Sequence, residues 1–260
     1  MITSFIEWGI GNLPLPEKIK VVKEAGFEAV SLHPFFSDRE EEEGAVKAVI
    51  ETGLNVTFHT ANEASEVITE KIGGYIKTVK AFHENTGKVL CFSIDQYHSV
   101  EGGQKKLNTG VMKRVILDLV GEIAPLGIKA AVENGTCLTT REDFKALADH
   151  VGGNGFGMLL DLGHMNLKWL RGEMSVEDFI YSMPLEIFEL HVHDNDGEND
   201  QHQLLGKGNL DLTAAVAALR RRKFDGVATF EMGCTQNAGS EWVESIKQSR
   251  QQFLDCWGCV

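Results

Sequence analysis

Basic residues are scarce in this chain. Lysine and arginine number 25 against 38 aspartates and glutamates, a formal charge of −13 over 260 residues. A molecule this acidic repels a phosphate backbone unless a local basic stripe compensates, so neither nucleic acid nor an anionic membrane is an expected partner. Long apolar runs are missing too, and none approaches the ~20 residues that span a bilayer. The opening Met1-Ile2-Thr3-Ser4-Phe5 has no basic start and soon meets Glu7, unlike a secretory leader. Cysteine is sparse and odd in number: Cys91, Cys137, Cys234, Cys256 and Cys259. A disulfide framework is not expected from that set, and a reducing cytoplasm is the expected setting. Cys256-x-x-Cys259 is at most half of a zinc site, with no second pair. The dinucleotide fingerprint G-x-G-x-x-G is also absent. Gly9-Ile10-Gly11-Asn12 has no third glycine in register and runs into Pro14 and Pro16. Nothing marks a nucleotide, flavin or pyridoxal phosphate site.

What the chain does have is a repeat of about thirty residues. Hydrophobic residues at 43% and charged ones at 24% fit a globular chain rather than a disordered or fibrous one. Short apolar runs recur at Ile2–Ile6, Ala29–Leu32, Asn55–His59, Val89–Ile94, Ile128–Glu133, Gly155–Asp161, Glu186–His191 and Val227–Glu231. Each precedes an amphipathic stretch: Glu17–Ala25, Glu40–Thr52, Ser65–Glu84, Lys106–Ala124, Arg141–His150, Ser175–Tyr181, Leu212–Arg222 and Glu241–Trp257. Gly26, Gly53, Gly87, Gly127 and Gly152 stand where helix C-caps want them. Eight strand-then-helix units without a linker predict one domain over residues 1–260, an α/β fold closed as a (β/α)8 TIM barrel. The connection from His193 to Leu212 has no helical pattern, and a loop that long in a compact domain is usually functional.

A parallel barrel carries its active site at the C-terminal strand ends. Those ends are unusual here. They read His59, Glu133-Asn134, Asp161-Leu-Gly-His164, His191-Val-His193-Asp194 and Glu231. Carboxylates gathered from separate strands repel one another unless a cation joins them. Glu133, Asp161, His191 and Glu231 offer three carboxylates and one imidazole. That set suits one divalent ion, with Mn2+ the first expectation and Zn2+, Co2+ or Mg2+ as alternatives, and leaves positions for substrate oxygens. His191 and His193 are two apart and share a strand face, so His191 is read as the ligand and His193 as a supporting or substrate contact. Trp8, Phe35 and Phe36 follow the first two strands and either line the apolar part of a pocket or pack under loops. Glu40-Glu41-Glu42-Glu43 reads as the solvated first turn of a helix.

These residues, in this order and followed by Asp200-Gln-His202 and Gly206-Lys-Gly208, resemble the xylose-isomerase-like TIM-barrel superfamily over essentially the whole chain. That superfamily includes sugar isomerases and epimerases, inosose and dehydroshikimate dehydratases, and the endonuclease IV repair nucleases. The resemblance implies that Glu133, Asp161, His191 and Glu231 are the shared metal ligands. It implies His59, His164, Asp200 and His202 as ligands of a possible additional metal, and His59, His164, His193 and Trp8 as substrate contacts. The fourth strand, Cys91-Phe92-Ser93-Ile94-Asp95, departs from the nuclease pattern, which would place a metal-binding histidine there; His98 lies beyond it.

The expected activity is a metal-dependent isomerase or epimerase acting on a ketose, keto-acid or polyol derivative through an enediolate, with Glu133 and Glu231 as general base and acid. A dehydratase or lyase of the inosose or dehydroshikimate type would use the same ligands. An endonuclease of the repair type is opposed by the charge and by the fourth strand, and a non-catalytic barrel by the intact ligand set. Lys168, Arg171 and Lys207 are the basic residues nearest the strand ends, too few to argue for a phosphorylated substrate. Homo-oligomers are common among proteins of this kind.

Overall fold

Eight short buried strands define the architecture of the computed structural model: β1 (Ile2–Ile6), β2 (Ala29–Leu32), β3 (Asn55–His59), β4 (Val89–Ile94), β5 (Lys129–Glu133), β6 (Phe156–Asp161), β7 (Ile187–Val192) and β8 (Val227–Phe230). The structure describes residues 1–60, 65–101, 104–135, 137–151, 155–233 and 239–259. All eight strands are parallel, in the order β1-β8-β7-β6-β5-β4-β3-β2, and β1 closes on β8 from Ile2 opposite Val227 to Phe5 opposite Phe230. The fold is a TIM barrel, as the repeat predicts.

Alternation along each strand sorts its residues into two sets. One set faces the surrounding helices: Phe58 packs on Phe82 and Phe230 on Phe253. The other faces the barrel axis and ends at the C-terminal mouth in the polar strand-end residues.

Helices α1 (Leu15–Glu24), α2 (Arg39–Thr52), α3 (Ser65–Thr86), α4 (Thr109–Ile123) and α5 (Arg141–Val151) follow the first five strands. The chain then breaks into short α6 (Leu162–Asn166), α7 (Lys168–Arg171) and α8 (Val176–Ser182), before α9 (Leu212–Arg221) and α10 (Ser240–Cys259). The acidic run opens α2 as expected, with the Asp38 side chain accepting from the Glu41 amide at 2.9 Å. Gly53 ends the same helix in the left-handed region at φ 70°. Gly152 and Cys234 lie outside the described residues. Cys256 and Cys259 are free thiols on α10.

The helix expected from Lys106 begins instead at Thr109. Residues Gln104–Leu107 pair antiparallel with His98–Glu101, a hairpin absent from the repeat. The Asn108 side chain accepts from the Val111 amide at 3.1 Å, and that cap stops the helical pattern from extending backwards. Among the described residues no helix is long and apolar enough to cross a membrane.

Candidate metal centre

β5 delivers Glu133 to the mouth, and the next residue fixes its neighbour. The Asn134 side chain accepts from the Asp161 amide at 2.7 Å and donates to the Asp161 carbonyl at 3.2 Å. Asp161 in turn caps α6, accepting from the His164 amide at 2.6 Å. Gly163 is required in that turn because any Cβ there would collide with the His193 imidazole. These contacts lock β5, β6 and β7 together before any side chain does chemistry.

His191 sits at the centre. Its Nδ1 lies 2.8 Å from Glu231 Oε2, 3.0 Å from Glu133 Oε1 and 3.6 Å from Asp161 Oδ2. Ligand atoms of these four residues all fall within 4.8 Å of one another, and all four residues are buried. A second grouping of the same tightness joins His59, Glu133 and His191, and a third joins His193, Asp200 and His202.

A long loop carries the third grouping, held down by one carboxylate. Asp194 accepts from the amides of Asn195 and Leu210 through Oδ1 and from those of Gly206 and Gly208 through Oδ2, at 2.9 to 3.0 Å. His202 is held at φ 47°, in the left-handed region that few residues other than glycine occupy. Its Nδ1 lies 3.0 Å from the Glu231 carbonyl and its Nε2 3.2 Å from Asp200 Oδ2. The connection from His193 to Leu212 therefore closes over one side of the mouth.

Burial and neighbours set the charges. Burial pushes the Glu133 carboxyl up to about 8, against the pull of His191. Burial also acts on Glu231, but the imidazolium of His191 outweighs it and holds that carboxyl near 2. Asp161 is likewise buried, yet His164 and His193 keep it well below the carboxylate range. Burial and the nearby His191 depress His59 to about 3. His191 and His164 are buried too, but facing carboxylates raise both well above the ordinary imidazole value.

The donor set fits a divalent cation. Three carboxylates crowd one imidazole, and neither His191 nitrogen forms a well-directed hydrogen bond although the ring is fully buried. A single N–H satisfies one acceptor, not three, whereas an ion accepts donors from several directions. Oxygen-rich ligation with one nitrogen suits Mn2+, Co2+, Zn2+ or Mg2+.

The cavity above the centre has a volume of about 320 Å3. Glu133, His164, Glu231, Asp200, His202, His59 and Trp8 line it. Ile6 and Leu32 add apolar lining, and Glu7, His33, Asp95 and Gln96 add polar groups that were not anticipated as site residues. His33 and Asp95 follow β2 and β4 directly, Gln96 comes one residue later and Glu7 follows β1, so inspecting every strand end would have found them. Among the described residues no lysine or arginine lines the cavity. Burial raises Asp95 to about 6. Trp8 keeps 40% of its surface exposed and meets the His202 ring edge-on at 5.6 Å.

The remaining strand-end candidates take supporting or packing positions. His193 does not line the cavity; it is fully buried, with Nε2 3.2 Å from Asp161 and its ring stacked on His202 at 4.2 Å. Phe35 and Phe36 also stay off the cavity, Phe36 stacking on Phe82 of α3. His98 starts the hairpin and is not among the lining residues.

This chain belongs to the xylose isomerase-like TIM barrel family. The match runs over residues 19–253. A curated relative, the uncharacterized protein MJ1311 of Methanocaldococcus jannaschii, is 29% identical over 110 residues, 40% of this chain and 37% of that protein. This chain's match therefore spans little more than a third of that relative's length. D-Psicose 3-epimerase from Clostridium cellulolyticum H10, solved with D-tagatose, superposes with a TM-score of 0.78 over 100% of both chains at 15% identity. The IOLI protein with a bound zinc atom superposes with a TM-score of 0.74 over 99% of this chain and 98% of the other, at 18% identity. At those identities the likeness is one of fold.

Proposed function

We propose that the chain is a divalent-metal-dependent isomerase or epimerase acting on a small carbohydrate-like ketose, keto-acid or polyol derivative. The observation that carries this is the convergence of Glu133, Asp161, His191 and Glu231, of which Glu133 and Glu231 line a cavity of about 320 Å3. The family, and the sugar epimerase and zinc-binding barrels that share the fold, support the same reading. Glu133, Asp161, His191 and Glu231 would hold the ion, Mn2+ first among the candidates, and His59, His164, Asp200 and His202 stand where a second could be shared. A bound divalent ion supplies Lewis acidity, stabilising the enediolate left when a carbon beside a carbonyl loses its proton.

The protein's own groups do the rest. Glu133 and Glu231, from strands on either side of β6 and β7, exchange that proton as general base and general acid. His164 and His59 orient substrate oxygens, and Trp8 offers an apolar surface to one face of the sugar. The absence of lysine and arginine from the described lining favours an unphosphorylated substrate and opposes a nuclease, which must grip a phosphate backbone.

The test is proton exchange. Protein loaded with Mn2+, Co2+ or Zn2+ is incubated in D2O with ketohexoses, keto-acids and inososes and followed by NMR. Deuterium entering beside the carbonyl, and lost in Glu133→Gln, is the expected result. Loss of water from an inosose without epimerisation would move the reading to a dehydratase. No exchange and no dehydration with any metal would reject it.

A further inference from the structure

Beneath the four candidate ligands lies a further buried carboxylate, Glu189, that the proposed chemistry does not use. Glu189 is fully buried on β7, two residues before His191. Strand alternation turns both side chains toward the barrel axis. One Glu189 oxygen accepts from the Thr229 hydroxyl at 2.7 Å and the other from the Ser93 hydroxyl at 2.5 Å. Thr229 stands on β8, two residues before Glu231. Ser93 stands on β4, two residues before Asp95, across the barrel from β7 in the strand order.

A single side chain therefore ties three strands together one level below the mouth, and each strand delivers a cavity or ligand residue one step higher. The choice is chemically expensive. Barrel interiors are ordinarily filled by Val, Ile and Leu, and a buried carboxylate loses hydration that two hydroxyl donors only partly restore. Replacing such a group with well-packed apolar residues is often neutral or stabilising. What an apolar side chain cannot do is fix the separation of β4, β7 and β8 through directed bonds. Leucine packs adequately over a range of strand offsets, whereas a hydrogen bond weakens steeply away from its preferred geometry.

Resting on the metal-centre reading above, we infer that Glu189 is a positioning residue: it sets the spacing of His191 and Glu231, and places Asp95 opposite them, by bracing their strands from below. Stability and site geometry should then separate. The decisive protein is the triple variant Glu189→Leu, Ser93→Ala, Thr229→Val, which removes the brace without leaving a buried hydroxyl unpaired. Its melting temperature without metal should match or exceed the parent's. Its affinity for Co2+ should fall about tenfold, the lower end of what outer residues around a metal contribute. The visible spectrum of the Co2+-loaded protein, which reports ligand geometry directly, should shift. Glu189→Gln keeps the length and one acceptor and should recover most of the affinity and the parental spectrum. Val79→Ala, a fully buried change on α3 away from the mouth, should lower the melting temperature while leaving Co2+ affinity and spectrum alone.

Parental affinity and spectrum in the triple variant would overturn the inference while leaving the metal centre intact. It is overturned equally if affinity falls in Val79→Ala in proportion to lost stability, since Glu189 would then act only through the fold. Should the triple variant not fold, Ser93→Ala, Thr229→Val decides: lowered Co2+ affinity with a shifted spectrum, beside a near-parental Glu189→Gln, supports the brace, and parental affinity and spectrum in the double variant reject it. A parent protein that takes up no Co2+ at all would remove the centre and the inference together.

Discussion

The two halves of the barrel mouth are built differently. From β5 to β8 the side chains are interlocked: Asn134 brackets the Asp161 backbone, Asp161 caps α6, Asp194 clamps the loop that brings Asp200 and His202 over the opening. From β1 to β4 the cavity is lined by Trp8, His33, His59, Asp95 and Gln96, where Trp8 stays 40% exposed. One half is preorganised around a point, as a metal and its chemistry demand; the other offers varied surfaces to a molecule arriving from solvent. The same fold can thus keep one half and alter the substrate through the other.

The largest effects belong to the interlocked half. Asp161→Ala removes a fully buried donor from a set of four and is expected to lower Mn2+ affinity more than ~100-fold, beyond the ~10–100-fold typical of outer residues. Asn134→Ala touches no ion but frees the buried Asp161 amide, so affinity should fall by that smaller factor, with about 1–3 kcal/mol of stability lost as well. Calorimetric titration with Mn2+ and a denaturation curve measure both. If Asp95→Asn abolished metal binding as completely as Asp161→Ala, the division between the halves would be broken.

The same comparison predicts how pH acts. Without metal, burial keeps the Glu133 carboxyl protonated up to about 8, and its neighbours keep His191 protonated as well. An ion displaces both protons, because ligands bind it only when deprotonated. Uptake of Mn2+ at pH 6.5 should therefore release about one to two protons, and affinity should climb as pH rises. Above the Glu133 value that share of the release disappears. Titrations in buffers of differing ionisation enthalpy count the protons directly. Zero release at pH 6.5 would mean that the ligand half is already ionised and less strained than its geometry implies.

Much of this layout was legible in the residues alone. Eight apolar runs spaced by helical patterns require a parallel sheet, and polar residues closing strands of otherwise buried character identify the mouth. What escaped was set by contacts between distant segments. Asn134 and Asp194 stand out at strand ends, but the amides they bind are apparent only once distant segments are folded against them. Glu189 sits inside an apolar run where a lone glutamate reads as an exposed position, and only closure of the barrel brings Ser93 and Thr229 to it. The hairpin at His98–Leu107 was hidden because two four-residue strands carry too little periodicity to compete with the helix beside them. His33, Asp95 and Gln96 were available to the same strand-end rule, since each lies within two residues of its strand's end.

The open half should respond most mildly, and in a different kinetic constant. Asp95 lines the cavity with its Oδ1 taken up by the Gln96 amide at 2.5 Å, so Asp95→Asn changes what the other oxygen offers to a substrate hydroxyl. Loss of one hydrogen bond to a charged group corresponds to about tenfold in KM. Trp8→Ala removes only one apolar face at the rim and should cost about three- to fivefold, near the lower limit for an aromatic contact. With a ketose found by the exchange assay, both variants should raise KM while kcat and Mn2+ affinity stay within about twofold of the parent, the pattern of lost uniform binding. A fall in kcat at constant KM would place Asp95 or Trp8 in the chemical step. The division would then lie elsewhere: β4 would join the reacting side, and recognition would be confined to β1, β2 and β3.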